Sequence, residues 1–132
     1  MRALIVDDSY DSRVLAEYIL NELGCDVQSV VSGTASLQAV KENDFDLIVM
    51  DWNMPGLNGR ETIIELDKYL FFKRVSTKSR IIIYTHFPLV YLNLPKSRHL
   101  SICTYISKEH TPHRQLQQFK KIIQNLSYKE AS

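Results

Sequence analysis

A short apolar run that ends at a carboxylate constrains the fold of this chain more than any other feature. Leu47–Met50 is apolar throughout, Asp51 follows it, and turn-forming residues come next, namely Asn53, Pro55 and Gly56. Apolar side chains on both faces of a strand indicate a parallel sheet that is covered by helices on both sides. Ligands of such sheets bind beyond the carboxyl ends of the strands. We therefore expect chemistry at Asp51.

The rest of the chain alternates between strand and helix patterns. Short apolar segments predict four more strands, at residues 3–6, 26–31, 81–84 and 101–106. Apolar residues at helical spacing predict helices that begin near residues 11, 32 and 59. The polar run at residues 73–79 ends the third helix, and Thr111 and Pro112 predict the start of a closing helix.

The segment between the fourth and fifth strands has the weakest helical pattern. Pro88 could begin a helix, but Pro95 disfavours helical geometry at Leu94, so we expect a short or irregular fourth helix. The chain is predicted to form one α/β domain over residues 1–132. Its architecture would be a flavodoxin-like three-layer sandwich, in which a doubly wound five-stranded parallel sheet has the order 2-1-3-4-5.

In that topology, polar residues at the ends of several strands converge on one crevice. Asp7 and Asp8 follow the first strand and Asp51 follows the third, beside the point where the strand order reverses. Three carboxylates in one crevice repel one another unless a cation lies among them, and Mg²⁺ prefers oxygen ligands. Thr85 ends the fourth strand and Lys108 follows the fifth. A hydroxyl, an ammonium and a metal around Asp51 could hold a transferring phosphoryl group, with Asp51 as the nucleophile.

With these residues in place, the sequence resembles the response-regulator receiver domain, the phosphoacceptor module of two-component signalling, over nearly its whole length. The matching residues are the pair Asp7 and Asp8, the segment at residues 51–55, Gly59 eight residues past Asp51, Thr85, Tyr105 and Lys108. The segment from Asp51 to Gly59 is especially similar to the single-domain chemotaxis regulators.

The resemblance implies a function and a set of roles. A sensor histidine kinase or a histidine phosphotransfer protein would donate the phosphoryl group. Asp8, Asp51 and the backbone carbonyl of Asn53 would hold Mg²⁺, and Asp7 would act mainly through water. Thr85 would move toward the phosphoryl group and Tyr105 would turn inward behind it, changing the face formed by helix four, strand five and helix five. Such a protein is a signalling switch and not an enzyme, apart from its own phosphorylation and dephosphorylation at Asp51.

Three features depart from the family pattern. Glu109 follows Lys108 where the family usually has a proline in a cis peptide, so we expect a trans peptide there. His86 follows Thr85 where the family usually has a small residue, and the usual Gly-Ala before strand five is missing. Pro95 and the missing Gly-Ala are expected to alter the face formed by helix four, strand five and helix five. His86 is expected to alter access to Asp51.

Other functions compete with this interpretation. A haloacid-dehalogenase-type phosphatase would have an acid at Asn53, and a flavodoxin would have a phosphate loop where Asp7 and Asp8 would repel a phosphate. A metal site at His110 and His113 near Cys103 is not favoured, because no further carboxylate or thiol completes it. The main alternative is a pseudo-receiver, an interaction module that keeps the fold without being phosphorylated.

Composition limits the setting and the partners. No apolar run reaches the ~20 residues that cross a bilayer, and acidic residues come too early for a signal peptide, so we expect a soluble cytoplasmic protein that does not contact membranes. Cys25 and Cys103 are expected to be small buried residues and not a disulfide. Residues 1–66 hold four Lys/Arg and twelve Asp/Glu, net −8, and residues 67–132 hold twelve and three, net +9. The basic half could be a solvated face, could bind an acidic output protein or could support a homodimer, whereas the pattern does not favour nucleic acid.

Overall fold

A computed structural model describes residues 1–73 and 79–131. The elements in chain order are β1 (Arg2–Val6), α1 (Tyr10–Glu22), β2 (Asp26–Val30), α2 (Gly33–Glu42), β3 (Leu47–Met50), α3 (Gly59–Lys73), β4 (Ser79–Thr85), a 3₁₀ turn (Leu89–Tyr91), β5 (Leu100–Ser107) and α4 (Pro112–Ala131). The sequence predicted the same alternation. Most of the polar run expected to end α3, residues 74–78, lies outside the described residues.

The five strands form one parallel sheet in the order β2-β1-β3-β4-β5, which confirms the predicted order. Alternate side chains of each strand enter two separate apolar clusters, as the two-residue period of a strand requires. Leu4, Ile48 and Ile81 pack against α2 and α3, whereas Ile5, Val49 and Ile82 pack against α1 and α4. The chain therefore has the predicted three layers, with β1 and β3 in the buried centre.

Local hydrogen bonds explain where the helices begin and end. Ser9 and Ser32 accept from backbone N–H groups in the first turns of α1 and α2. Thr111 Oγ1 accepts from Arg114 N at 3.2 Å, which confirms the predicted cap of α4. Gly24 follows α1 with φ of 84°, a conformation that favours glycine, so it stops the helix as expected.

The expected fourth helix is reduced to the three-residue 3₁₀ turn at Leu89–Tyr91. After it the chain runs along α3, where Arg60 Nε donates to the carbonyl of Asn93 at 3.0 Å. Asp67 Oδ1 accepts from the Ser97 hydroxyl at 2.7 Å and from the His99 N–H at 2.7 Å. These bonds hold an extended segment in the place of a helix, so α4 here is the fifth helix of the expected pattern.

Two further predictions concern cysteines and membranes. Cys25 is a free, buried thiol, as expected, whereas the Cys103 side chain is not among the described ones. Burial raises the pKa of the Cys25 thiol. Among the described helices, none is both long enough and apolar enough to cross a bilayer.

Candidate functional site

The backbone fixes Asp51 at the carboxyl edge of the sheet. Its N–H donates to the Val6 carbonyl of β1 at 2.9 Å, and its Oδ1 accepts from the Trp52 N–H at 2.8 Å. Asp51 is 5% exposed. The central strand therefore delivers a largely buried carboxylate to the sheet edge, where the sequence predicted it.

Gly59 begins α3 in direct contact with the backbone that carries Asp51. Its N–H donates to the Trp52 carbonyl at 2.8 Å. A Cβ at this position would lie 2.5 Å from the Asp51 carbonyl oxygen and 2.8 Å from Trp52 Cα. Because neither backbone atom can yield cheaply, this close approach explains why a glycine stands at position 59.

Three carboxylates meet at this edge. Oxygen atoms of Asp7, Asp8 and Asp51 lie within 4.8 Å of one another. Asp7 is 1% exposed and its Oδ1 accepts from the Ser9 N–H at 2.9 Å, whereas Asp8 is open to solvent. In the part of the chain that the structure describes, this is the single group of three or more acidic, histidine or cysteine side chains arranged to share an ion.

Lys108 reaches the same carboxylates from the end of β5. Its Nζ lies 2.7 Å from Asp7 Oδ2 and 3.3 Å from Asp51 Oδ2, and its side chain is 4% exposed. Its backbone N–H donates to the Thr85 carbonyl at 3.0 Å, so β4 and β5 deliver both residues side by side. The sequence predicted that Lys108 faces Asp51, and the shorter ion pair is with Asp7.

The electrostatics of the cluster suit a divalent cation. Burial raises the pKa of Asp7 to about 6, the Asp51 charge adds to this, and Lys108 opposes it. One ammonium is shared among three carboxylates, so the site is short of positive charge. Mg²⁺ prefers oxygen ligands, and its positive charge would neutralise the carboxylates that Lys108 leaves unbalanced. These residues therefore fit the ion that the sequence implied.

A cavity of about 390 Å³ opens over these groups and is lined by Asp8, Ser9, Asp51, Asn53, Thr85, His86, Phe87, Pro88 and Lys108. Asn53 and Thr85 thus lie where the sequence predicted. A larger cavity of about 760 Å³ lies between β5 and α4, but no acidic residue lines it. The volume of a cavity therefore does not identify the functional site. The site is identified by the carboxylates, the ammonium and the hydroxyl that converge on the smaller cavity.

Tyr105 lies outside this cavity and joins it through the loop after β4. The Phe87 N–H donates to Thr85 Oγ1 at 3.3 Å, and the Tyr105 hydroxyl donates to the Phe87 carbonyl at 2.8 Å. Tyr105 is half-buried and also lines a groove against the 3₁₀ turn. Phe87 is therefore a direct link between the hydroxyl in the site and the aromatic residue behind it.

Two of the departures from the family pattern contact each other at the mouth of the cavity. His86 Nδ1 and Glu109 Oε1 are 2.7 Å apart, and both side chains are more than half exposed. The peptide after Lys108 is trans, as expected, since the described residues contain no cis peptide bond. This contact joins the loop after Thr85 to the loop after Lys108. No local pattern in the sequence indicates it, because the two residues are 23 positions apart.

Two buried polar residues beside Lys108 were not predicted from the sequence. Tyr84 is 1% exposed and Gln115 is 2% exposed, and the Tyr84 hydroxyl donates to Gln115 Oε1 at 2.5 Å. The sequence did contain a signal for Gln115, which lies four positions before Phe119 and so falls on the apolar face of α4 that packs inward. The disfavoured histidine site gains no support, because His110 Nδ1 bonds instead to Gln118 Oε1 at 3.0 Å.

Comparison with curated proteins gives relatives of two kinds. A sensor protein, GacS of Pseudomonas syringae pv. syringae, is 40% identical over 60 residues, which are 46% of this chain and 7% of that protein. Chemotaxis protein CheY-3 of Vibrio cholerae is 42% identical over 60 residues, 45% of this chain and 46% of that protein. The chain therefore spans less than half the length of these relatives.

Solved structures support the same fold over most of the chain. The response regulator TrrA of Thermotoga maritima, solved in complex with Mg(2+)-BeF, has a TM-score of 0.70 and 26% identity, covering 91% of this chain and 96% of that one. NtrX of Brucella abortus has a TM-score of 0.76 and 18% identity over 98% of this chain and 28% of that chain, a likeness of fold.

The family comparison covers the strands, the carboxylates and Lys108 together. The family model described as the response regulator receiver domain matches residues 3–120. That match includes every residue that the sequence analysis placed in the site. This chain therefore belongs to the response regulator receiver domain family of two-component signalling.

Proposed function

We propose that this chain is a phosphoacceptor switch in which Asp51 takes a phosphoryl group from a sensor histidine kinase or a histidine phosphotransfer protein. The observation that carries the proposal is the buried ammonium of Lys108, 2.7 Å from Asp7 and 3.3 Å from Asp51. It provides a cation for phosphoryl oxygens beside a carboxylate nucleophile. Receiver domains in general are signalling switches and not ordinary enzymes, and in this proposal the chemistry is limited to Asp51.

In the proposed step, a carboxylate oxygen of Asp51 attacks phosphorus and the P–N bond of the donor phosphohistidine breaks. The imidazole nitrogen leaves with the electron pair. Thr85 donates its hydroxyl to a phosphoryl oxygen and Lys108 contributes its ammonium. Receiver domains bind Mg²⁺ at their aspartate cluster; here Asp7, Asp8, Asp51 and Asn53 would hold it. The ion would neutralise charge on the phosphoryl oxygens.

The output side of the proposal follows from the loop after β4. When Thr85 turns its hydroxyl toward a phosphoryl oxygen, the 3.3 Å bond from the Phe87 N–H weakens. Phe87 is also held by the Tyr105 hydroxyl, so the change would reach Tyr105 and the face made by the 3₁₀ segment, β5 and α4. Four expectations from the sequence stay predictions: binding of an output protein, formation of a homodimer, a cytoplasmic location and a single domain over residues 1–132.

The nucleophile is tested by labelling. With Mg²⁺ and acetyl phosphate, intact-mass measurement should show one added phosphoryl group that is base-labile. Asp51→Asn should abolish it, and Asp11→Asn, a change of an exposed aspartate on α1, should not. Labelling of the Asp51→Asn variant to the same extent would remove Asp51 as the acceptor.

The metal is tested separately, so that the pseudo-receiver alternative can be recognised. Trp52 is adjacent to Asp51 and 8% exposed, so its fluorescence should respond to Mg²⁺. Asp8→Ala should abolish the response and Asp11→Ala should keep it. Normal Mg²⁺ binding with no labelling by any donor would favour the pseudo-receiver, an alternative for which the His86 and Glu109 bridge at the cavity mouth is the supporting observation.

A further inference from the structure

One buried amide contacts two carbonyls of the loop that follows β5. Gln115 Nε2 donates to the His110 carbonyl at 2.8 Å and approaches the Lys108 carbonyl at 3.4 Å. Its Oε1 accepts from the Tyr84 hydroxyl at 2.5 Å. Both ends of the amide are therefore used, which fixes its orientation in a place where an unpaired amide would be costly.

Tyr84 supports this amide and Lys108 at the same time. The Lys108 Nζ lies 5.3 Å from the centre of the Tyr84 ring, within the range of a cation–π contact. Burial raises the pKa of Tyr84 above its ordinary value, and the charges of Asp7 and Asp51 add to this, so the hydroxyl stays protonated and donates to Gln115. The ring also packs against Phe119 of α4, with 5.5 Å between ring centres.

The Gln115 side chain is not needed to complete its own helix. Its backbone N–H donates to the Thr111 carbonyl at 2.9 Å, and the first turn of α4 is capped by the Thr111 hydroxyl. The contacts of the amide are instead with the loop and with Tyr84. Glu109 has no ring to restrict its backbone, so the position of Lys108 depends on the hydrogen bonds of the loop. The Glu109 and His110 N–H groups donate to oxygens of Ser107, the Lys108 N–H donates to the Thr85 carbonyl, and the Gln115 amide adds contacts from the helix.

We infer that Gln115, supported by Tyr84, is a positioning residue that fixes the Lys108 loop and so holds the ammonium against Asp7 and Asp51. The inference rests on the proposed function for its consequence, since phosphorylation depends on where the ammonium lies. Gln115 does not touch the carboxylates, and a metal bound by them needs no contact with Lys108. Loss of Gln115 should therefore affect the ammonium and the reaction much more than metal binding.

The experiment compares Gln115→Met, which keeps the length of the side chain without its hydrogen bonds, with Gln117→Met at an exposed position on the same helix. Each protein is phosphorylated with acetyl phosphate at saturating Mg²⁺, titrated with Mg²⁺ through Trp52 fluorescence, and examined as ¹³C-lysine-labelled, metal-free protein by NMR. The Lys108 signal is assigned as the one that is missing from the spectrum of Lys108→Arg.

For Gln115→Met we expect the phosphorylation rate to fall on the order of tenfold, because small misplacements of a reacting group are costly. The Lys108 signal should move, and the Mg²⁺ dissociation constant should stay within about twofold of its original value. Gln117→Met should match the unchanged protein in all three measurements. Tyr84→Phe should move the Lys108 signal less, because the ring stays under the ammonium.

Unchanged rate and Lys108 signal in Gln115→Met would overturn the inference. An equal loss of rate and Mg²⁺ affinity would also overturn it, because that pattern marks a general structural role. If the unchanged protein is not phosphorylated by any donor but the Lys108 signal moves in Gln115→Met, the proposed function fails and the positioning role stands. Should Gln115→Met not fold, the same three measurements are made on Tyr84→Phe. An unchanged phosphorylation rate and an unchanged Lys108 signal in that variant would overturn the inference.

Discussion

Removing the charge of Asp7 should stabilise the metal-free protein. Asp7 is 1% exposed, and burial raises its pKa from 3.8 to about 6. An acid with a higher pKa in the folded state takes up protons on folding, so stability falls as pH rises between about 4 and 6. Above pH 6 the folded protein carries the full cost of a buried charge, and Asp7→Asn removes that charge.

The pKa shift gives the size of the effect. A change of about 2 pKa units at ~1.4 kcal/mol each amounts to ~3 kcal/mol at neutral pH. The asparagine oxygen can still accept the bond from the Ser9 N–H, and Lys108 keeps its 3.3 Å contact with Asp51. For a chain of this length, such a gain corresponds to a rise in Tm on the order of 10 °C.

The measurement is thermal and urea unfolding of both proteins in EDTA at several pH values. Asp7→Asn should be more stable at pH 7.5, and the difference should shrink toward zero near pH 4. Added Mg²⁺ should raise the stability of the unchanged protein more than that of the variant, because the ion replaces the missing positive charge. Asp11→Asn on the surface is the matched control.

Two results would refute this reasoning. A variant that is less stable than the unchanged protein at pH 7.5 would mean that the 2.7 Å ion pair with Lys108 outweighs the cost of burial. A gain that is equally large at pH 4 would mean that the effect does not come from ionisation of Asp7.

Two more predictions concern neighbouring positions. Gly59→Ala should cost ~1–3 kcal/mol of stability by urea unfolding and weaken Mg²⁺ binding, because its Cβ would lie 2.5 Å from the Asp51 carbonyl oxygen; unaltered stability and binding would show that the α3 start can shift freely. His86→Ala should speed both phosphorylation by acetyl phosphate and spontaneous dephosphorylation, measured by intact mass over time, because it removes the bridge to Glu109 at the mouth of the cavity. Slower reactions in His86→Ala would make the imidazole a participant and not an obstruction.

The order of elements and the position of the acids could be read from the sequence. Periods of two and 3.6 residues are local properties of strands and helices, so each segment reveals its own type. The rule that ligands lie beyond the carboxyl ends of parallel strands then placed Asp7, Asp8 and Asp51 together. The same rule added Thr85 and Lys108, which come at the ends of neighbouring strands. The resemblance to the receiver family added Tyr105, and the family comparison confirms that membership.

The fate of the fourth helix shows where local signals weaken. Pro88 and Pro95 predicted a short or irregular helix, but the extended path that replaces it is held by Arg60 and Asp67 of α3. Those bonds join residues about thirty positions apart, and no local pattern indicates them. Tertiary contacts therefore decided the length of this element.

The pairings around Lys108 were decided by the tertiary structure alone. The sequence placed an ammonium near Asp51, but in the structure it lies nearer to Asp7, at 2.7 Å against 3.3 Å. The register of β4 against β5 sets Lys108 beside the end of β4, next to the buried Tyr84 and Gln115. The same register sets His86 beside Glu109. A period in the sequence says which face a side chain occupies, whereas contacts between distant residues depend on register and rotamer, which exist only once the layers have packed.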